Sequence, residues 1–251
     1  MVSACFTTNL FGVTINVALG NRDTYSMSGI LSNDPTQSLD TGTAAPLTYT
    51  GSTWNQPGTS VNNVLGLLDS DGTLTSVGFS LSGYQDTGIG DHGGEGIMNF
   101  LGAGVHSDGP STIGGFNPEP STLPTLTITG LNDNYTYSVA IISGGNYNHT
   151  NQWNFGGTAD FSDPNLPGDF TGGTTLTTVS STETLNVWVN GVNYVVFSNI
   201  QSTGGNIVIQ NRAINDKFSM NGFQLVAIPE PSHAALFALG VFGFLFHRRR
   251  L

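Results

Sequence analysis

Leu185-Asn186-Val187-Trp188-Val189-Asn190-Gly191-Val192-Asn193-Tyr194-Val195-Val196-Phe197 alternates apolar and polar residues on both sides of an Asn-Gly pair. Leu185, Val187 and Val189 share one face of the first arm, and Val192, Tyr194 and Val196 continue the alternation in the second. Asn-Gly between alternating apolar runs is the strongest short hairpin signal a sequence carries, because both residues tolerate the positive φ of a tight turn. Trp188 is opposite in phase to Val187 and Val189 and belongs to the second face of this hairpin.

The same grammar recurs outward from this hairpin. Phe11, Val13, Ile15, Val17 and Leu19 alternate with small or polar residues and read as a half-buried strand. Val61–Leu68 and Thr73–Leu81 flank Asp69-Ser70-Asp71-Gly72 as a second hairpin with an Asp-Gly turn. Leu126 and Ile128 open a strand, Tyr135, Tyr137, Val139 and Ile141 form the next, and Asn206–Gln210 and Phe223–Leu225 close the series. Gly83–Pro124 and Ser143–Thr174 read as two long loops. No long amphipathic helix precedes residue 232, and no period of 20 to 50 residues recurs, which argues against a solenoid or propeller. Eight to ten short strands with two long loops predict an all-β fold, a two-sheet β-sandwich of jelly-roll type.

Composition agrees with an extracellular β-protein. Only 9% of residues are charged, 34 are glycine, and Thr, Ser and Asn fill the polar positions. Up to Glu230, Arg22, Arg212 and Lys217 stand against all 17 acidic residues. Such a domain repels a phosphate backbone, so no nucleic acid is expected as a partner. A single cysteine, Cys5, permits no internal disulfide.

The last residues read differently. Ile228-Pro229-Glu230-Pro231-Ser232-His233 is followed by an uninterrupted apolar run, Ala234–Phe246, then His247 and Arg248-Arg249-Arg250. Proline blocks helix propagation, so a helix begins after Pro231 with Ser232 as its N-cap. The 13 apolar residues span about 20 Å as a helix against a hydrocarbon core of roughly 30 Å. Flanking residues and snorkelling arginines extend it towards a thin bilayer. Arginines hold their end of such a helix on the cytoplasmic side, which places the rest of the chain outside. A short C-terminal transmembrane helix is therefore expected.

This tail resembles the PEP-CTERM sorting signal of bacterial surface and secreted proteins, through Pro229-Glu230-Pro231-Ser232, the apolar run and the three arginines in order. The resemblance implies a partner, an exosortase-like membrane enzyme that recognises Pro-Glu-Pro and cleaves nearby. Anchoring is then transient, and the mature protein passes to the cell envelope or extracellular matrix. Pro118-Glu119-Pro120-Ser121 repeats the tetrapeptide, but Thr122-Leu123-Pro124-Thr125 follows it, so it reads as a loop. The preceding region resembles galactose-binding-like ectodomains through Thr53-Trp54-Asn55, Leu67–Gly72, Leu126–Leu131, Gly191–Phe197 and Asn221–Leu225. That resemblance supports the sandwich and leaves the ligand open, since a fold does not determine a function.

Chemistry has few signals. Asp69-Ser70-Asp71-Gly72 could begin a calcium loop, but the twelfth position holds Ser80 where an EF-hand requires Glu. Asp86, Asp91 and Glu95 in a glycine-rich loop are weak candidates for a structural calcium, and otherwise no cofactor is expected. His92, His106 and His149 lack zinc-ligand spacing. No Gly-x-Ser-x-Gly elbow occurs, and Asp91, Glu95 and Glu183 form no carboxylate pair that sequence can identify, so an enzyme is not expected. An envelope glycoside-acting enzyme is the lesser alternative. Trp54, Tyr84, Tyr147 and Trp153 fall in predicted loops, where aromatic rings either stack on sugars or plug the ends of a sandwich. Asn146, Asn148, Asn151 and Gln152 surround Trp153 as possible hydroxyl partners. A carbohydrate-binding module acting on extracellular polysaccharide is thus the alternative to a structural or adhesive role.

Three regions follow. Residues 1–12 read as a leader remnant without the basic residues of a signal peptide, and an upstream start is expected. Residues 13–227 form the β-sandwich ectodomain, and residues 228–251 form the sorting tail.

Overall fold

The Asn190-Gly191 turn is present, and the strand that follows it pairs elsewhere in the chain. The computed structural model describes residues 13–19, 55, 62–83, 105–108, 123–143, 149–161, 169–180, 189–215 and 217–229. Val192 N–H donates to Val189 O (3.1 Å), and Gly191 has φ 80°, a value that suits glycine. The following strand, Tyr194–Gln201, runs antiparallel to Tyr135–Ile142. The arm Leu185–Trp188 lies outside the described residues.

Thirteen strands occur among the described residues, and no α-helix. They are β1 (Thr14–Ala18), β2 (Gly78–Ser82), β3 (Val105–Asp108), β4 (Thr125–Thr129), β5 (Tyr135–Ile142), β6 (His149–Phe155) and β7 (Thr158–Asp160). The others are β8 (Asp169–Thr171), β9 (Thr174–Ser180), β10 (Tyr194–Gln201), β11 (Ile207–Asn215), β12 (Lys217–Met220) and β13 (Gly222–Pro229). A four-stranded sheet has the order β1-β13-β5-β10, and a five-stranded sheet the order β2-β4-β11-β6-β9. β12 with β3 and β7 with β8 make two small ribbons. All pairings within these sheets are antiparallel.

The two larger sheets share one core. Ile15, Val17, Phe223, Leu225, Val139, Ile141 and Phe197 from the four-stranded sheet meet Phe79, Leu81, Leu126, Ile128, Ile207, Ile209 and Trp153 from the other. Phe79 of β2 meets Phe223 of β13 edge to face, with centroids 5.3 Å apart and rings inclined by 78°. Phe155 of β6 approaches Phe197 of β10 at 6.4 Å.

The stretch Gly83–Pro124, read as a long loop, holds β3, which pairs with β12, and two further expectations differ from the structure. The strand read as half-buried, now β1, is buried on both faces. Its second face carries Asn16 and Ala18, which are as inaccessible as Ile15 and Val17. Asn16 is tolerated there because its amide is used: Gln224 Nε2 donates to Asn16 Oδ1 at 2.8 Å. The Asn16 carbonyl receives both the Asn55 backbone N–H (2.9 Å) and Asn55 Nδ2 (3.0 Å). Asn55 also exchanges side-chain bonds with Leu68, stitching β1 to the hairpin at 62–77.

The second correction concerns Ser143–Thr174. This segment is not one long loop, since it holds β6, β7 and β8. β6 lies between β11 and β9 in the five-stranded sheet. Its sequence, His-Thr-Asn-Gln-Trp-Asn-Phe, carries too few apolar residues to show its period. Asn151 and Trp153 nonetheless alternate inward, and cross-strand packing overrides the low strand preference of asparagine.

The Asp69–Gly72 hairpin is found where expected. Asp69 N–H donates to Thr73 O (2.9 Å) and Gly72 N–H to Asp69 O (3.0 Å). Val64 and Phe79 exchange backbone bonds at 2.8 Å each.

Candidate functional site

The last described strand carries the chain towards its tail. β13 sits between β1 and β5, but its β1 ladder ends with Thr14 opposite Val226. Beyond that point Ala227 N–H still donates to Val13 O (3.1 Å), and among the described residues Ile228 and Pro229 have only β5 beside them, opposite Thr136 and Tyr135. Thr136 Oγ1 adds a bond to Ile228 O at 3.3 Å. Because Leu19 N–H donates to Asn221 O and Ala227 N–H to Val13 O, the odd-numbered residues of β13 face β1. Pro229 is odd-numbered, so its nitrogen turns away from β5 and its missing N–H costs the ladder nothing. Pro229 thus stands at the rim of the sheet. Glu230, Pro231, Ser232, the apolar run and Arg248, Arg249 and Arg250 lie outside the described residues, as does the expected helix.

The rim around Pro229 is tied together by turns. Asn132 N–H donates to Tyr137 Oη (2.7 Å), and the Tyr137 hydroxyl donates back to Asn132 O (3.0 Å). Burial pushes the Tyr137 phenol above its ordinary range, against the bond to Asn132. Asp133 Oδ1 accepts from Ser202 Oγ (2.5 Å) and Gly205 N–H (2.9 Å), joining the β4–β5 turn to the β10–β11 turn. The Ser202 hydroxyl and then the Gly205 amide hold its carboxyl below the ordinary carboxylate value. Gly130, with φ 73°, opens the β4–β5 turn. A Cβ there would stand 2.1 Å from the Ser76 carbonyl oxygen, so this close approach of the hairpin requires glycine. The sequence marks Tyr137 only as a strand residue and gives Asp133 no role; their signal is the Asn132-Asp133-Asn134 turn directly before an alternating strand.

Trp153 is not a loop aromatic. It lies on β6 with 0% exposure, inside the shared core, and its indole Nε1 donates to Thr178 Oγ1 at 3.3 Å. A ring enclosed in this way offers no face to a sugar. Asn146 and Asn148 lie outside the described residues, and the other two expected hydroxyl partners are already engaged. Asn151 is buried, and Gln152 Oε1 accepts from Arg212 Nη1 (3.3 Å), which also pairs with Asp169 at 2.8 Å. Trp54, Tyr84 and Tyr147 lie outside the described residues, as do Asp86, Asp91 and Glu95. The Asp69 carboxylate is used by its own turn, accepting the N–H groups of Asp71 (3.0 Å) and Thr73 (2.8 Å). Among the described residues no group of three or more His, Cys, Asp or Glu side chains gathers to hold a metal.

Comparison with known proteins bears on the tail. No curated protein matches the chain. Residues 227–250 match the PEP-CTERM protein-sorting motif. The match begins at Ala227, inside β13, and takes in Pro229 at the rim. The chain therefore ends in a PEP-CTERM sorting signal, of the kind recognised by an exosortase-type membrane enzyme, which marks it for export and processing at the membrane.

Proposed function

We propose that this is a surface or extracellular-matrix protein with a non-enzymatic, structural or adhesive ectodomain, delivered and then released through its C-terminal tail. The observation that carries the reading is the PEP-CTERM match at 227–250, continuous with the last strand of the folded domain. In this reading the sorting enzyme takes Pro229-Glu230-Pro231 and cleaves nearby. Ala234–Phe246 crosses the bilayer transiently, and Arg248, Arg249 and Arg250 hold its far end.

For the ectodomain we infer a jelly-roll β-sandwich, akin to galactose-binding-like domains. Strand order supports it. Setting aside β2 and the two ribbons, the first strand β1 lies beside the last, β13, and β4 lies beside β11. Successive strands β4, β5 and β6 pass from sheet to sheet, as do β9, β10 and β11, which is the winding of two interlocked Greek keys. Among the described residues, Asp69, Asp133 and Asp169 each serve a turn or an ion pair, which supports a non-enzymatic role for these three carboxylates. A carbohydrate-binding reading loses Trp153, its central residue, to the core.

The test is expression in a host that has the sorting enzyme, with Pro229→Ala/Glu230→Ala beside wild type. Wild type should leave the membrane fraction, and the variant should stay in it. Equal behaviour of the two would contradict the reading. Circular dichroism should show the same strand signal for both, since Pro229 gives β5 no ladder bond.

A further inference from the structure

We propose that the rim from which the tail leaves is a membrane-docking surface, with Leu65 and Leu74 as its apolar contacts and a lipid headgroup layer as its partner. This rests on the reading of residues 228–251 as a membrane-entering sorting tail.

Leu65 is 68% exposed and Leu74 66%, the two most exposed large hydrophobic residues among those described. Single exposed leucines are ordinary on protein surfaces. These two belong to one hairpin, whose arms meet through Leu67 and Val77. Leu74 Cδ1 lies 3.2 Å from where a Cβ on Gly66 would stand, beside Leu65 in the chain. Leu65 Cδ2 lies 3.1 Å from the corresponding point on Gly78, the first residue of β2.

Their position in the fold is what matters. Ser70 N–H of the same hairpin donates to Thr14 O at 2.7 Å, and Thr14 pairs with Val226, three residues before Pro229. Ser76 Oγ donates to Gly130 O at 3.0 Å, and the turn after Gly130 leads to Tyr135, the partner of Pro229. The leucines and the tail exit therefore share one end of the molecule. Four residues, Glu230 to His233, separate Pro229 from the apolar run. Fully extended they reach at most about 14 Å. A polar interfacial layer roughly 5 to 8 Å thick lies on each side of the hydrocarbon core. With the run inserted, this end of the ectodomain is held against or within that layer. Two exposed leucines there contribute as interfacial apolar side chains do, by partitioning into the headgroup boundary.

Asp69, Asp71 and Asp133 lie on the same end. Asp69 is held by its own turn and Asp133 by the β10–β11 turn, but the charge remains, so a neutral interface suits this surface better than an anionic one.

The experiment uses the full chain in phosphatidylcholine vesicles, in a Cys5→Ser background. Leu65→Cys, Leu74→Cys and Val179→Cys each carry an environment-sensitive fluorophore. Val179, 50% exposed, pairs with Thr150 at the opposite end of the five-stranded sheet. A headgroup-attached quencher should reduce emission at positions 65 and 74 several-fold more than at 179. Flotation with the vesicles and equal quenching at all three positions would overturn the docking surface alone. Failure of every variant to float with the vesicles would overturn the membrane-entering tail, and the docking surface with it.

Discussion

Replacing the Trp153 indole would remove one of the largest enclosed side chains in the core, along with its bond to Thr178. Trp153→Ala should lower stability by about 3 to 5 kcal/mol, read from the denaturant midpoint. A stable Trp153→Ala protein that has lost a glycan ligand would instead return the residue to a binding surface. Asp133 gives a test in pH. Its folded pKa lies below the ordinary carboxylate value, so its contribution is present above that ordinary value and is lost as pH falls through the lower folded pKa. Wild type should therefore be more stable than Asp133→Asn at neutral pH, and the difference should close only below about pH 4. A gap unchanged by acid would mean that the Ser202 and Gly205 bonds do not favour the charged form. Both residues show what composition conceals. Trp153 was legible as an aromatic among asparagines, a pattern shared by sugar sites and by a polar-flanked core strand. Only burial separates the two.

Among the elements, β13 is the most informative. Its even-numbered residues bond to β5, so Val226→Pro would remove a ladder bond from an interior strand and should cost about 3 kcal/mol or more. Pro229→Ala, by contrast, should stay within about 0.5 kcal/mol of wild type. Equal costs at the two positions would contradict the register of the β13–β5 pair. Sequence reading found β4, β5 and β13 because one face of each is uniformly apolar and the breakers Gly130 and Gly222 stand beside them. β6 and β9 were hidden because Asn and Thr occupy inward positions, as Asn151 and Thr178 do. The second face of β1 was misread for a related reason. Asn16 signals solvent in a single sequence, and only its pairing with Gln224 and Asn55 explains its burial. The Asp69 turn was legible because its chemistry is local, within five residues.

For the whole molecule, two sheets share one core, and the chain leaves it at a rim where the last strand becomes the first part of a sorting signal. The all-β class was readable from period-two patterns, and the tail from three features in order at the end of the sequence. The pairing of β10 with β5 was not, because the partners are far apart in the chain and an Asn-Gly turn specifies only its own residues. The overlap of β13 with residues 227–229 places the sorting signal directly at the folded domain. The most direct measurement is the intact mass of the protein recovered outside the membrane of a host that has the sorting enzyme. Sorting through this tail requires a C-terminus close to Pro229-Glu230-Pro231, with Ala234–Phe246 and the arginines gone. A recovered protein that still carries Arg248, Arg249 and Arg250 would contradict it.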